Sequence, residues 1–258
     1  MSVRTAYDPG VPCWVDLSST DVPASVRFYG ELFGWTARMS DDPEAGGYGQ
    51  FYYGDQAVAG VGPVQQEGVP TVWNVYVSTD DAAALAGRVK DAGGTVVAGP
   101  FPVLDQGTMA VFQSPDGSYV SAWQPRGHHG AELVNEPVSF CWNELVSRDV
   151  EAATRFYGPV FGWKPHTQDM GGFAYTEWQK GGESVAGMMA MDSDFPAETP
   201  SHWATYFAVA DLPATIAKAR DLGAAVLVER MEAPPGPFGM LLDPQGAVFS
   251  VIQLHEHA

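Results

Sequence analysis

From Val11 to Ser18 the chain reads Val-Pro-Cys-Trp-Val-Asp-Leu-Ser, an alternation of apolar and polar positions that predicts a half-buried strand. The period then changes. Val26, Tyr29, Leu32 and Phe33 recur at spacings of three and four, which predicts one short helix. Asp21 is its N-cap, Pro23 falls in the first turn where no N–H is missed, and Gly34 ends it before Trp35 opens a strand. A loop rich in Asp, Pro and Gly over 40–47 leads into a hairpin-like pair, 48–53 and 57–61, turned at Gly54-Asp55. The unit reads β-α-β-β-β.

The same pattern follows at once. Thr71 to Thr79 is a strand, Asp80 or Asp81 caps a helix running to about Asp91, and Ala92-Gly93-Gly94 stops it. Strands fit at 95–98, 107–113 and 117–124, the last after the turn Ser114-Pro-Asp-Gly117. The first helix, Asp21-Val-Pro-Ala-Ser-Val-Arg-Phe-Tyr-Gly-Glu-Leu-Phe-Gly-Trp35, then returns as Asp149-Val-Glu-Ala-Ala-Thr-Arg-Phe-Tyr-Gly-Pro-Val-Phe-Gly-Trp163. Asp21 and Asp149, Phe28 and Phe156, and Trp35 and Trp163 are all 128 residues apart, so the halves share local structure and not composition alone. Strands at 139–147, 173–179, 184–190, 201–209 and 247–254, with helices from Asp149 and from Asp211 to Leu222, complete four units, two per half. The class is α+β.

Residues 125–137 are polar, bounded by prolines and without a period. This predicts domains over 8–125 and 137–257, each with its own core, joined by a linker over 126–136. His128-His129 lies in that linker, as solvated residues or as a metal-binding pair.

The chain has 258 residues, a formal charge of −18 and only 13 Lys and Arg. Nucleic acid and anionic membrane are excluded as partners, because either needs phosphate-neutralising cations. No run of apolar residues is long enough to span a bilayer, and no basic segment precedes an apolar one at Met1 to Pro12, so the cytoplasm is the expected location. With 8 Trp, 13 Phe and 10 Tyr, there is apolar material for cores and for aromatic-lined cavities. The two cysteines, Cys13 and Cys141, are repeat equivalents; they read as small buried hydrophobes, or as a disulfide if the first strands lie side by side.

A β-α-β-β-β unit with a capped Phe-Tyr…Phe-Gly-Trp helix, closing on Pro-Asp-Gly and a strand, resembles the glyoxalase/bleomycin-resistance/dioxygenase superfamily, also called vicinal oxygen chelate proteins. The resemblance covers both halves. It implies paired units whose curled mixed sheets enclose a cup, where His, Gln or Glu side chains from strands of both units hold a divalent metal. Carried onto this sequence, the ligand seven residues before the first helix cap lands on Trp14 and Trp142. The ligand on the next unit's first strand lands on Asn74 and Ala204. The one four residues beyond the Pro-Asp-Gly glycine lands on Ser121 and Ser250, and the one closing the first unit lands near Gly60 and Gly187. None of these is His or Glu, and Asn74 with two hydroxyls does not make a site for zinc or a hard divalent ion. No metal and no other cofactor is expected.

Alternate residues on a strand share a face. The family's inward register therefore lines the first cup with Trp14, Asp16, Ser18, Asn74, Tyr76, Tyr119, Ser121 and Trp123. The second takes Trp142, Glu144, His202, Ala204, Tyr206, Val248, Ser250 and Ile252. Trp14 and Trp142 read as core or as pocket wall. Asp16 and Glu144 are repeat-equivalent carboxylates on strands built for burial. Such a group is a general acid or base when its pKa is raised, or a hydrogen-bond acceptor that only fixes the strand. His202 is the one histidine on a cup-facing strand and is a candidate partner of Glu144 or Asp16; His166, His255 and His257 read as loop or tail residues. The segments Gly99–Pro102 and Pro234–Gly239 put Phe101 and Phe238 over the cup mouths or serve as rigid connections. Met188, Met189 and Met191 are apolar filling near the second cup.

Tandem members of the superfamily that lack the ligands resemble drug-binding resistance proteins and accessory proteins of aromatic natural-product pathways. The expected function is therefore metal-free binding of a small, largely apolar or aromatic organic molecule. Stacking on Trp14 or Trp142 and hydrogen bonds to Asp16, Asn74, Glu144 or Ser250 would hold it. The alternatives are a cofactor-independent lyase, isomerase or hydroxylase with Asp16 or Glu144 as base, and a metal-dependent glyoxalase or dioxygenase. The chain is expected to be a monomer or a homodimer, because it already contains the unit pairs that single-domain relatives obtain by dimerising.

Overall fold

The computed structural model describes residues 3–66, 68–193 and 195–255, so His257 lies outside the described residues. The four expected units are present. The first comprises β1 (Pro12–Ser19), α1 (Val22–Phe33), β2 (Thr36–Met39), β3 (Gly49–Tyr53) and β4 (Gln56–Pro63). The second is β5 (Val72–Ser78), α2 (Ala82–Asp91), β6 (Thr95–Val103), β7 (Gly107–Gln113) and β8 (Tyr119–Pro125). The third is β9 (Phe140–Ser147), α3 (Val150–Phe161), β10 (Lys164–Asp169), β11 (Ala174–Lys180) and β12 (Glu183–Ala190). The fourth is β13 (His202–Ala208), α4 (Leu212–Asp221), β14 (Ala225–Met231), β15 (Phe238–Leu242) and β16 (Val248–Ile252).

All four helices start on an aspartate whose carboxylate accepts an orphan backbone N–H: Asp21 from Ala24, Asp81 from Ala84, Asp149 from Ala152 and Asp211 from Ala214. Gly34 and Gly162 end α1 and α3 in the left-handed region, at φ 74° and 73°, where a side chain would be strained.

Each half forms one eight-stranded mixed sheet, in the order β2-β3-β4-β1-β5-β8-β7-β6 and its repeat β10-β11-β12-β9-β13-β16-β15-β14. The seam is the antiparallel pairing of the units' first strands, which sets Asp16 opposite Asn74 and Glu144 opposite Ala204. On their other edges β1 and β9 pair in parallel with β4 and β12, setting Asp16 beside Gly60 and Glu144 beside Gly187. Each carboxylate thus stands on a strand flanked by one parallel and one antiparallel neighbour.

The two halves do not have separate cores. One continuous cluster of buried side chains runs from Val15, Leu17 and Phe51 through Phe28, Tyr29 and Trp73 to Phe207, Phe249 and Trp203, and so crosses between them. The expectation of two cores is corrected here: the outer faces of β5 and β13 pack on each other, with Trp73 edge-on to Phe207 at 5.0 Å between ring centroids. The repeated Phe-Tyr…Trp helix supplies the cross-links. The Tyr29 hydroxyl accepts from Trp73 Nε1 and donates to Asp243 Oδ2 of the other half; Tyr157 accepts from Trp203 Nε1 and bonds Ser118 Oγ. Trp35 Nε1 donates to Val138 O and Trp163 Nε1 to Gly10 O, a reciprocal pair, since both donors and both acceptors are 128 residues apart.

The cysteines are both free thiols, Cys13 buried and Cys141 half-buried. The segment expected to be a solvated linker is fastened to the first sheet instead. Ala131 N bonds Cys13 O, Glu132 N bonds Ala57 O, and Ala131 and Leu133 are fully buried. Polar composition concealed this, because the segment is held mainly by its backbone. No helix among the described residues is long and apolar enough to cross a membrane.

Candidate functional site

In the first cup the register brings Trp14, Asp16, Asn74 and Tyr76 together, and a residue outside the expected set, Tyr48, closes the group. Asp16 is buried and fully engaged: Oδ2 accepts from the Tyr76 hydroxyl at 2.8 Å and from Tyr48 at 3.2 Å, and Oδ1 accepts from Asn74 Nδ2 at 2.8 Å. Trp14 Nε1 donates to the Tyr48 hydroxyl at 3.0 Å. Ser121 is buried alongside, paired with Tyr76.

The second cup repeats this arrangement with one donor fewer. The Tyr206 hydroxyl donates to Glu144 Oε1 at 3.1 Å, and Trp142 Nε1 donates to the Tyr175 hydroxyl at 3.0 Å. Ala204 replaces Asn74, and Ser250 is buried beside Tyr206, with which it is paired across the sheet. Around them lies a separate apolar cluster: Val146, Ala204, Tyr206 and Ile252 are buried, while Trp142, Met189, Met191, Phe195, Phe238 and Leu254 are only partly so. Phe238 stands edge-on to Tyr206 at 5.6 Å.

Burial raises the pKa of both carboxyls. For Asp16 desolvation outweighs the hydrogen bonds from Asn74, Tyr76 and Tyr48, and for Glu144 it outweighs those from Tyr175 and Tyr206. The same burial, reinforced by the adjacent carboxylate, raises the tyrosines well above their ordinary range. Each cup therefore holds a carboxyl that resists ionisation, flanked by hydroxyls that keep their protons.

Several expected residues stand elsewhere. Tyr119 begins β8, is 54% exposed and joins neither network. His202 lies opposite Val146 and bonds Pro200 O through Nδ1, whereas Glu144 lies one alternation further along, opposite Ala204. The two do not pair, because the strand register separates them. Phe101 is not on a loop over the mouth: the Gly99–Pro102 segment is part of β6, where Phe101 pairs with Met109. Met188 belongs to the main core, leaving Met189 and Met191 at the cup.

His128, expected in the linker, is a further residue outside the expected cup lining. It stands in the first cup, with its ring centroid 4.4 Å from Trp14 and 5.7 Å from Trp123, and its Nδ1 3.4 Å from Gln50 Nε2. Its Nε2 is buried without a partner, and burial lowers its pKa to about 4. Tyr48 and Tyr175 escaped notice because they are 127 residues apart, one short of the offset that aligns the rest of the unit.

The donors present do not fit the divalent metal of the resembling family. Where its carboxylate would close the first unit stand Gly60 and Gly187, and a Cβ added to either would overlap the Tyr48 or Tyr175 hydroxyl. Hydroxyls of neutral tyrosines occupy the space a carboxylate ligand would need, and among the described residues no group of three His, Cys, Asp or Glu converges. A cleft of about 220 Å³ between the halves, lined by Gly10, Arg88, Phe161 and Lys180, lies away from both cups. Its cations are already engaged by the last carbonyls of α3, Arg88 with Val160 O and Lys180 with Phe161 O.

Comparison with known proteins bears on both halves. A family profile described as the Glyoxalase/Bleomycin resistance protein/Dioxygenase superfamily matches residues 13–121, and one described as a Glyoxalase-like domain matches residues 141–252. The chain is 41% identical over 266 residues to the anthracycline biosynthesis protein DnrV of Streptomyces peucetius, covering 98% of this chain and 96% of that one. It is 38% identical over 259 residues to CFP32 of Mycobacterium tuberculosis, covering 98% of both. Among solved structures, the Mn(II)-bound glyoxalase from Novosphingobium aromaticivorans superposes with a TM-score of 0.64 at 17% identity, over 97% of this chain and 86% of that one. That likeness is one of fold. With the same β-α-β-β-β units matched in each half, and with relatives aligned along almost their whole length, the chain belongs to the glyoxalase/bleomycin resistance protein/dioxygenase superfamily, as two glyoxalase-like domains in tandem.

Proposed function

We propose that this chain is a metal-free binding protein for a small, planar, largely apolar organic molecule, and that the second cup is its site. The observation that carries this reading is the partly uncovered apolar cluster of Trp142, Met189, Met191, Phe195, Phe238 and Leu254 around the buried Glu144–Tyr206 pair. Large apolar walls with a few convergent polar groups are the usual make-up of a small-molecule site. Trp142 offers an indole to stack on, methionines adapt to an irregular outline, and the Ser250 hydroxyl beside Tyr206 is a polar anchor for a carbonyl or phenol. The relatives named for anthracycline biosynthesis support an aromatic natural product as guest, in a cytoplasmic biosynthetic or resistance role.

The test is a titration with quinizarin, a planar dihydroxyanthraquinone, read by tryptophan fluorescence and calorimetry, alongside elemental analysis. Micromolar binding that Trp142→Ala weakens about tenfold, in line with about 1–2 kcal/mol for a stacking aromatic, together with sub-stoichiometric metal, is the expected outcome. Binding unaffected by Trp142→Ala, or a stoichiometric divalent ion, sinks the reading.

A second reading rests on the carboxyl itself. Glu144 between two tyrosines is a buried group with a raised pKa, the kind that serves as general acid or base in a lyase or isomerase. Mass spectrometry of incubated candidate substrates distinguishes it: product formed by the wild type and lost in Glu144→Gln, with binding retained, makes the protein an enzyme.

A further inference from the structure

The cleft of about 220 Å³ between the halves runs against the charge of the whole molecule. The chain has 31 Asp and Glu against 13 Lys and Arg, yet among the described residues no Asp or Glu lines this cleft, whereas Arg88 and Lys180 both do. Neither joins the ion pairs of the described residues, in which Arg38, Arg155, Arg220 and Arg230 each take a carboxylate. They converge instead on the last turn of α3, where Arg88 Nε donates to Val160 O at 3.2 Å and Lys180 Nζ to Phe161 O at 2.9 Å. Each spends a single N–H there and keeps others to give. Thr79 lines the same cleft; its hydroxyl accepts from Asp81 N at 3.3 Å, which leaves its own proton to donate.

Capping of α3 accounts for one of these cations and not for both. The other seam repeats the first contact, since Lys218 Nζ donates to Leu32 O at 3.3 Å as Arg88 does to Val160 O. Lys180 has no such counterpart: the last residue of β3, in the equivalent place, is Tyr53. A helix C-terminus presents about half a negative charge, so two full positive charges there leave an excess of about one and a half. The surrounding chain keeps the ammonium uncrowded, because a Cβ on Gly10 would lie 2.8 Å from Lys180 Nζ and one on Gly162 3.2 Å from it.

We propose that this cleft is a binding site for a small, doubly charged oxyanion of the phosphate or short dicarboxylate class. Such an ion offsets the excess charge of Arg88 and Lys180. The guanidinium meets it with a planar fork of donors, the ammonium as a point charge, and the Thr79 hydroxyl adds a hydrogen bond. The volume suits an ion of this size and falls below the roughly 300 Å³ at which pockets for drug-sized molecules begin. Because Arg88 and Thr79 belong to the first half and Lys180 to the second, the bound ion also ties the halves together at this seam. The site is separate from both cups and does not depend on what they bind.

The experiment titrates inorganic phosphate and, separately, malonate into the full-length protein by calorimetry, at neutral pH and with ionic strength held constant by potassium chloride. The expected result is one saturable site, with the thermal unfolding midpoint rising as it fills, and the tighter of the two anions names the class. Lys180→Gln and Arg88→Gln should each weaken binding about tenfold or more, the usual loss for a hydrogen bond to a charged group. Lys180→Arg should retain it, and Lys218→Gln, at the other seam, should leave it unchanged. Arg88 is exposed, so its variant keeps the test decisive if Lys180→Gln unfolds the chain. Absence of saturable binding of both anions overturns the proposal and leaves the two cations as caps of α3 alone. Binding that survives both Lys180→Gln and Arg88→Gln, or that falls equally in Lys218→Gln, overturns it too, the latter as attraction to charge in general.

Discussion

At the scale of the residue, the carboxyl and the imidazole in the cups make opposite demands on pH. His128 takes a proton at about pH 4 in the folded chain, against an ordinary 6.5. The unfolded chain is protonated first on acidification, so the neutral imidazole stabilises the fold fully above about 6.5 and that contribution drains away towards about 4. The limit is about 3 kcal/mol for a shift of this size. Unfolding midpoints in urea measured from pH 7 to pH 4 should fall less steeply in His128→Gln than in the wild type. Asp16 and Glu144 work the other way. Their raised folded pKa means that each favours the fold when protonated, and the contribution is lost as pH climbs from the ordinary carboxyl range through the raised value. Glu144→Gln, which keeps an acceptor for Tyr206, should therefore gain stability relative to wild type at pH 8 and show no gain at pH 4, as read by thermal unfolding.

At the scale of the element, much was legible. Period, caps and stops placed the first helix and strand of every unit, because Asp N-caps, Gly stops and strand alternation are local signals that tertiary packing had no reason to override. The inward register that brings Trp14, Asp16, Asn74 and Tyr76 to one place came from the resemblance to the superfamily and not from these local signals. What stayed hidden has a common cause. Tyr48 and Tyr175 sit just before or early in hairpin strands whose loops differ in length by one residue, and His128 lies in a polar stretch held by backbone bonds. None of these leaves a periodic trace. The glycines at 60 and 187 were legible only as missing ligands, whereas the structure gives them a positive role. Gly60→Ala and Gly187→Ala should each destabilise by about 1–3 kcal/mol, as overpacked sites do, since a new Cβ meets a tyrosine engaged with a buried carboxyl. Urea titration of the two variants checks it; a change within error would mean that the sheet yields to make room.

At the scale of the whole molecule, the 128-residue repeat is more than a duplication on a string. The motif conspicuous in the sequence, Phe-Tyr…Phe-Gly-Trp, holds the halves to one another. Tyr29 bridges a tryptophan of its own half and a buried aspartate of the other, and Tyr157 does the same towards Ser118. Tyr29→Phe strips Asp243 of a donor in a buried place, so a loss of about 1–3 kcal/mol is expected. Because the core is shared, calorimetry should show one unfolding transition in the wild type and still one in Tyr29→Phe. Two separate transitions would mean that the halves melt independently despite their common core.

Gly60 and Gly187 also bear on where such a sequence can go next. Placing a carboxylate at either glycine needs two changes in that cup, the glycine replaced and a tyrosine withdrawn. Either change alone is harmful: the first drives a side chain into a packed ring, and the second leaves Asp16 or Glu144 buried with fewer donors. Each half is thus held on its side of a fitness valley by two mutually supporting residues. Drift in its descendants should gather among the half-buried side chains around Glu144, such as Met189, Met191 and Phe195, rather than on the floor of either cup.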